Sequence, residues 1–168
     1  MVTKKSVLST IVQGAKDYSK LLGRTFAFES DSFQFKKEYF IKFHKNNFLH
    51  LTGVITKLSP EEFYESAFNG TLTENDFDIT SEDNILLNTH IEMKMHNLSN
   101  IHLVVDSKVT IEERYQRGKI TCSLAASNGK FTLCFIGNRL LAPMSLLYGN
   151  TLHKGNVVKG LIAKEIFK

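Results

Sequence analysis

Cysteine is scarce in this sequence, long apolar runs are missing and glycine-rich phosphate loops are absent, and each shortage excludes something. Two cysteines in 168 residues cannot make a disulfide framework. No stretch approaches the roughly 18 consecutive apolar residues that a membrane span needs. Residues 1–23 imitate a secretion signal, with Lys4, Lys5 and a short apolar run, but the run is not continuous enough to be one. Gly14, Gly23, Gly53, Gly70 and Gly129 fit neither G-x-x-x-x-G-K-[ST] nor G-x-G-x-x-G, so no phosphate loop is present. Ser145 lies outside any G-x-S-x-G, which argues against a hydrolase nucleophile. The six histidines show no metal signature. His90, His96 and His102 are spaced so that successive side chains rotate by about 120° around a helix and cannot gather on one face. No metal and no other cofactor is expected, and His44 and His153, set among polar neighbours, read as solvated.

With 42% apolar and 23% charged residues, the chain is long enough for one well-buried core and is read as a single domain, 1–168. The 21 Lys and Arg against 17 Asp and Glu give +4 and a pI near 9.0, a mild preference for anionic partners. Val7, Leu8, Ile11, Val12, Ala15, Tyr18, Leu21 and Leu22 recur at helical spacing before Gly23, which predicts an amphipathic helix. Arg24–Glu29, Glu38–Phe43 and FLHLTGVI alternate as strands. Ser59 and Glu62 form a capping box with Pro60 at the first helical position, and Gly70 ends that helix. Residues 71–84 read as loop, and a further helix is expected from about Ser81 to Leu98. The last third turns to strand: IHLVV, the hairpin RGKITCSLAASNGKFTLCFIG, NRLLAPMSLLYG and VVKGLIAKEIF. The class is α+β, with N-terminal and middle helices packed on an antiparallel sheet. A two-residue turn at Asn128-Gly129 would pair Ala126 with Phe131, Leu124 with Leu133 and Cys122 with Phe135, leaving Cys134 opposite Ser123 on the other face. Thiols on opposite faces cannot be bridged, so both are expected free, in a reducing compartment.

Three features carry possible chemistry. If Phe48–Thr52 is a strand, Leu49 and Leu51 face the core while Phe48, His50 and Thr52 share the other face. A histidine titrates near neutrality and can pass a proton between two oxygens; the plain alternative is a half-buried histidine bonded to a backbone carbonyl. Pro143 would interrupt ladder pairing and expose the Ser145 hydroxyl, unless that serine merely caps a turn. Arg114, Arg117, Lys119, Lys130 and Arg139 gather around the C-terminal hairpin, either to bind phosphate or to keep a sheet face in water. Lys94, in the middle helix, fits either use.

Taken in order, the N-terminal helix, EYFIKFHKNNFLHLTGV, the capped SPEEFYESAFNGTL, the helical KMHNL, TCSLAASNGKFTLCF and APMSLL resemble one family over most of the chain. It is the phage-associated branch of the barnase/EndoU/colicin/RelE-like (BECR-fold) nuclease domains. The resemblance implies a compact α+β domain and a metal-independent ribonuclease activity in the cytoplasm of a bacterial host. RNA, such as tRNA or another host RNA, would be the partner, with no membrane role. HLTG then supplies His50 and Thr52, the K-x-x-x-L position Lys94, and the P-x-S-L-L position Ser145, as the catalytic set. In such a reaction the ribose 2′-hydroxyl attacks its own phosphate. His50 would move a proton, and Lys94 or a hairpin arginine would stabilise the developing charge. Thr52 and Ser145 would hydrogen-bond phosphate oxygens, while Phe48 or Tyr148 would stack on a base. The nucleic-acid-binding set is Phe48, Arg114, Arg117, Lys119, Lys130, Arg139 and Tyr148. A second proton-transfer residue is not identifiable from the sequence. The competing reading is a non-catalytic phage protein that uses the same surface to bind and inhibit a host protein or nucleic-acid system.

Overall fold

The computed structural model describes residues 3–79 and 91–167. Helix α1 (Lys4–Ser19) starts at a reciprocal cap in which Thr3 Oγ1 accepts the Ser6 N–H and Ser6 Oγ accepts the Thr3 N–H, both at 3.1 Å. Its buried face, Val7, Ile11, Gly14, Ala15 and Tyr18, follows the spacing read from the sequence. That face lies against α3 (Pro60–Asn69), where the Tyr64 hydroxyl donates to the Ala15 carbonyl at 3.1 Å, and against the turn Leu98–Asn100. Gly14 is small because Leu98 is there: a Cβ would sit 2.8 Å from Leu98 Cδ2. Helix α3 has the expected cap, with Ser59 Oγ accepting the Glu62 N–H at 3.1 Å and Glu62 returning the bond to the Ser59 N–H at 3.2 Å.

The strands in chain order are β1 (Thr25–Glu29), β2 (Glu38–Lys42), β3 (Ile55–Thr56), β4 (Phe77–Asp78), β5 (Val109–Arg117), β6 (Ile120–Ser127), β7 (Phe131–Gly137), β8 (Leu140–Tyr148), β9 (Val157–Leu161) and β10 (Lys164–Ile166). β3 and β4 form a small separate pair. The other eight make one sheet in the order β10-β1-β2-β8-β7-β6-β5-β9, antiparallel throughout except for β2 with β8. β9 and β10 close opposite ends of that order, yet only Ile162 and Ala163 separate them in the chain. So short a link spans on the order of 10 Å, so the sheet has to curl until its ends approach. Arg24 pins the closing strand, with Nη2 at 2.7 Å and Nε at 3.0 Å from the Glu165 carboxylate. One apolar cluster runs from Val7, Ile11 and Tyr18 of α1 through Phe63 of α3 to Leu124, Leu133 and Phe135 of the sheet. The class is therefore α+β with a large, mostly antiparallel sheet.

Several local expectations are corrected. Phe48–Thr52 is a helix, α2, entered through the 3-10 turn Lys45–Asn47 and ended by Gly53 at φ 76. Phe48, Leu51 and Thr52 are buried and His50 is exposed, the i, i+3, i+4 pattern of a helix, which five residues cannot separate from alternation. IHLVV is not a strand either: Ile101 and His102 lead into the short helix Leu103–Asp106. Of the helix expected over 81–98, residues 91–95 are helical and 81–90, with His90, lie outside the described residues.

The hairpin register also moves. Leu124 faces Phe135, Ala126 faces Leu133 and Ser127 faces Thr132, so residues 128–130 all sit in the turn. Ser127 Oγ donates to the Phe131 carbonyl at 2.8 Å, and Asn128 Oδ1 accepts the Lys130 and Phe131 N–H groups at 2.9 and 3.2 Å. These side-chain bonds stabilise the longer turn. On the neighbouring strand, Arg114 has φ 51, a left-handed conformation that reverses the alternation of β5. Beyond that reversal Tyr115 and Cys122 join Ala125 and Cys134 in a second cluster, although Cys122 and Ala125 could not share a face of a regular strand. The two buried thiols are free, as expected, but they meet instead of facing apart. A hydrogen bond from Cys134 lowers the pKa of Cys122, and the same bond together with burial raises that of Cys134. Among the described residues no helix is long and apolar enough to cross a membrane.

Leu133 is fully buried in the main cluster, whereas Ile136 on the same strand is 50% exposed. Leu133→Ala should cost about 2–5 kcal/mol in urea denaturation, and Ile136→Ala under about 0.5 kcal/mol.

Candidate functional site

β2 and β8 pair in parallel only at Phe40 with Leu140 and Ile41 with Leu141. Past Leu141 the two strands part, and α2 packs beside β8 in the opening. The helical segment 91–95 sends Lys94 to the freed edge, where Nζ donates to the Leu146 carbonyl at 2.8 Å. The lysine stem crosses Gly53: a Cβ there would stand 2.8 Å from Lys94 Cδ and 3.2 Å from Cε. The glycine of HLTG therefore ends α2 and leaves room for the lysine. Burial lowers the Lys94 pKa below the ordinary lysine value, partly offset by Cys134 nearby. Lys94 lines a cleft of about 490 Å³ together with Arg117, Tyr148 and the apolar side chains Met93, Ile120 and Leu147. Tyr148 is 57% exposed, and its ring lies 6.3 Å from that of His96. Two cations, an exposed aromatic ring and an apolar wall offer complementary contacts to a phosphate and to a base.

The remaining candidates are dispersed. His50 stands on the exposed face of α2, one turn before Gly53, and its ring has no hydrogen bond among the described residues. Thr52 is buried, donates to the Leu49 carbonyl at 2.7 Å and accepts the Val54 N–H at 3.3 Å, closing the helix. Phe48 is corrected as a stacking platform: its ring is fully buried among Tyr18, Phe63 and Tyr64, with centroids 5.3, 6.2 and 5.4 Å away. Ser145 is half-buried on β8, opposite Cys134 and next to Leu146, just beyond the register shift that follows Pro143. Arg114 lies 3.6 Å over the Phe35 ring, beside another cleft of about 290 Å³. Lys119, Lys130 and Arg139 are exposed in three successive turns. Such turns alternate between the ends of an antiparallel sheet, so the five cations do not form one cluster, and of them only Arg117 lines the cleft with Lys94.

The family model described as phage-Barnase-EndoU-ColicinE5/D-RelE like nuclease 4 matches residues 10–138. The chain belongs to that nuclease family. No curated protein and no solved structure matches it significantly. His50, Thr52, Gly53, Lys94 and Arg117 fall inside the family match, whereas Ser145, Tyr148 and the rest of β8 follow it.

Reading His153 as solvated missed its partner. Glu112, its side chain 4% exposed, accepts the His153 backbone N–H at 2.7 Å and holds Nδ1 at 2.9 and 3.2 Å. The next residue, Glu113, serves the other side of the strand, accepting the Gln34 and Phe35 N–H groups at 2.7 and 3.0 Å and the Tyr39 hydroxyl. Adjacent glutamates inside a strand were the available signal, because each needs a partner on its own face. Among the described residues no three His, Cys, Asp or Glu side chains converge as a metal site.

Gly53 and Gly70 both end helices at positive φ, 76 and 75, but a Cβ on Gly70 meets nothing within 4 Å. Gly70→Ala should lose only the left-handed strain, about 1 kcal/mol. Gly53→Ala should lose that and about 1–3 kcal/mol more by crowding Lys94. Equal losses in a denaturation comparison would show that the lysine stem does not depend on the glycine.

Proposed function

We propose that this nuclease is a metal-independent endoribonuclease that cleaves by transphosphorylation. The observation that carries this reading is the pairing of Lys94 and Arg117 with Tyr148 in one cleft. The scissile phosphate lies against the two cations and a neighbouring base stacks on Tyr148. The 2′-hydroxyl loses its proton as the O2′–P bond forms, the P–O5′ bond breaks and O5′ takes up a proton. The products are a 2′,3′-cyclic phosphate and a 5′-hydroxyl. Lys94 and Arg117 offset the charge that builds on the phosphorane, an effect strengthened where water is excluded. His50 transfers one of the two protons. Ser145 and Thr52 complete the family-derived set, with Thr52 acting through the shape of α2, since its hydroxyl is spent on that helix. Arg114, Lys119, Lys130 and Arg139 add long-range attraction for an RNA chain, such as a tRNA or another host RNA in a bacterial cytoplasm.

Incubated with a mixed RNA pool in EDTA, the protein should leave 2′,3′-cyclic phosphate ends. Lys94→Met should slow cleavage by about 10²–10³-fold, with Lys94→Arg retaining part of the rate through its charge. The basic limb of the pH–rate profile should lie below the ordinary lysine range, because burial lowers the Lys94 pKa and the ammonium is lost as pH rises through it. His50→Ala should lower the rate by about 10²–10⁴-fold and change stability by less than about 0.5 kcal/mol, since His50 is exposed. Binding to a host protein with no cleavage of any RNA would transfer the assignment to an inhibitor.

A further inference from the structure

We infer that His153, held by Glu112, is the second proton-transfer residue of this nuclease. This rests on the ribonuclease reading and names a catalytic group that the family motifs do not contain. The segment 149–156 crosses the sheet from β8 to β9 and is fastened at successive points. Thr132 Oγ1 donates to the Gly149 carbonyl at 2.8 Å and accepts the Thr151 N–H at 3.1 Å, and Glu112 accepts the His153 N–H at 2.7 Å. Thr151 lines the cleft that holds Lys94, Arg117 and Tyr148. Tyr115 ties that wall to the histidine: its hydroxyl donates to Thr151 Oγ1 at 2.8 Å, and its ring packs against His153 with centroids 5.6 Å apart.

The carboxylate of Glu112 is almost wholly buried while the His153 side chain is 48% exposed. Both Glu112 oxygens approach Nδ1, and Nε2 has no partner among the described residues. A carboxylate that holds one ring nitrogen fixes the tautomer and leaves the other nitrogen's lone pair for the substrate. The buried carboxylate is met on both oxygens, by the backbone N–H at 2.7 Å and by Nδ1 at 2.9 Å, and the second contact orients the ring. His153 Nε2 takes the proton of the 2′-hydroxyl as O2′ attacks phosphorus, and His50 as imidazolium gives a proton to the departing O5′. The acceptor is thus held at a buried carboxylate across Tyr115 from the cations, and the donor stands on α2.

The test is cleavage of a short RNA by wild type, His153→Ala and His153→Asn, with thermal midpoints and RNA affinity measured in parallel. Asn at 153 can still donate an amide hydrogen toward Glu112, so it preserves the anchor while removing proton transfer. Both variants should cleave about 10²–10⁴-fold more slowly with RNA affinity unchanged, and free imidazole should restore part of the rate to His153→Ala only. Full activity in His153→Asn, or slow cleavage of His153→Ala that imidazole leaves untouched in a folded protein, would make His153 a structural anchor and leave the ribonuclease reading standing. Absence of cleavage by wild type would remove both.

Discussion

Leu146 carries a backbone carbonyl that β2 does not pair, and Lys94 supplies the donor. An unpaired carbonyl half out of water costs about as much as a lost hydrogen bond, so the parting of β2 from β8 is tolerated only if something else reaches that edge. A lysine does so with hydrogen-bonding capacity to spare, because its ammonium has three donors and the carbonyl uses one. The structural bond therefore fixes the position of a charge without consuming it. Gly53 and α2 are bound into the same arrangement, since the lysine stem occupies the space a Cβ would take. The end of HLTG and Lys94 are separated in sequence but depend on a single packing contact.

A second constraint comes from the closure of the sheet. With two residues between β9 and β10, the chain that leaves β8 has to cross one face of the sheet and return to β5 before it can reach β1. The crossing segment covers the cluster of Tyr115, Cys122, Ala125 and Cys134, and Leu152 packs on it. Arg114 makes that cluster possible by reversing the alternation of β5, which brings Tyr115 onto the covered face and carries Arg117 to the cleft. Strain at a non-glycine residue in the left-handed region costs of order 1–3 kcal/mol, and it persists here in a strand tied to both neighbours.

What could be read from the sequence was what is decided locally. The boundary of α3 followed from Ser59, Pro60, Glu62 and Gly70, all within twelve residues and each with its own backbone reason. The α+β class and the buried stripe of α1 followed from periodicity. α2 did not, because a five-residue segment with leucines two apart satisfies both periods until its surroundings choose. The turn at Asn128-Gly129 was visible, but its length depends on the Ser127 and Asn128 side chains both bonding forward to the backbone of Lys130 and Phe131, and the register moved with it. The contact of Cys122 with Cys134 was hidden because the reversal falls on an arginine, with no glycine to mark it. Lys94 was a candidate whose direction stayed open, since its partner lies 52 residues further on; His153 and Glu112 are 41 apart.

The cleft draws its walls from two parts of the chain with different standing. Lys94 and Arg117 lie inside the span that matches the nuclease family, while Leu147, Tyr148 and Thr151 come after it. A cation pair recognises any phosphate, because the phosphodiester is the same at every nucleotide; an aromatic ring and an apolar wall respond to the base. In the proposed reading, the part of the cleft inside the family span meets the phosphate, and the strand beyond it meets the base. Tyr148 is the clearest case: it shares a face of β8 with Leu146 two residues earlier, but it stands at the strand's end, more than half exposed, outside the core that Leu146 enters.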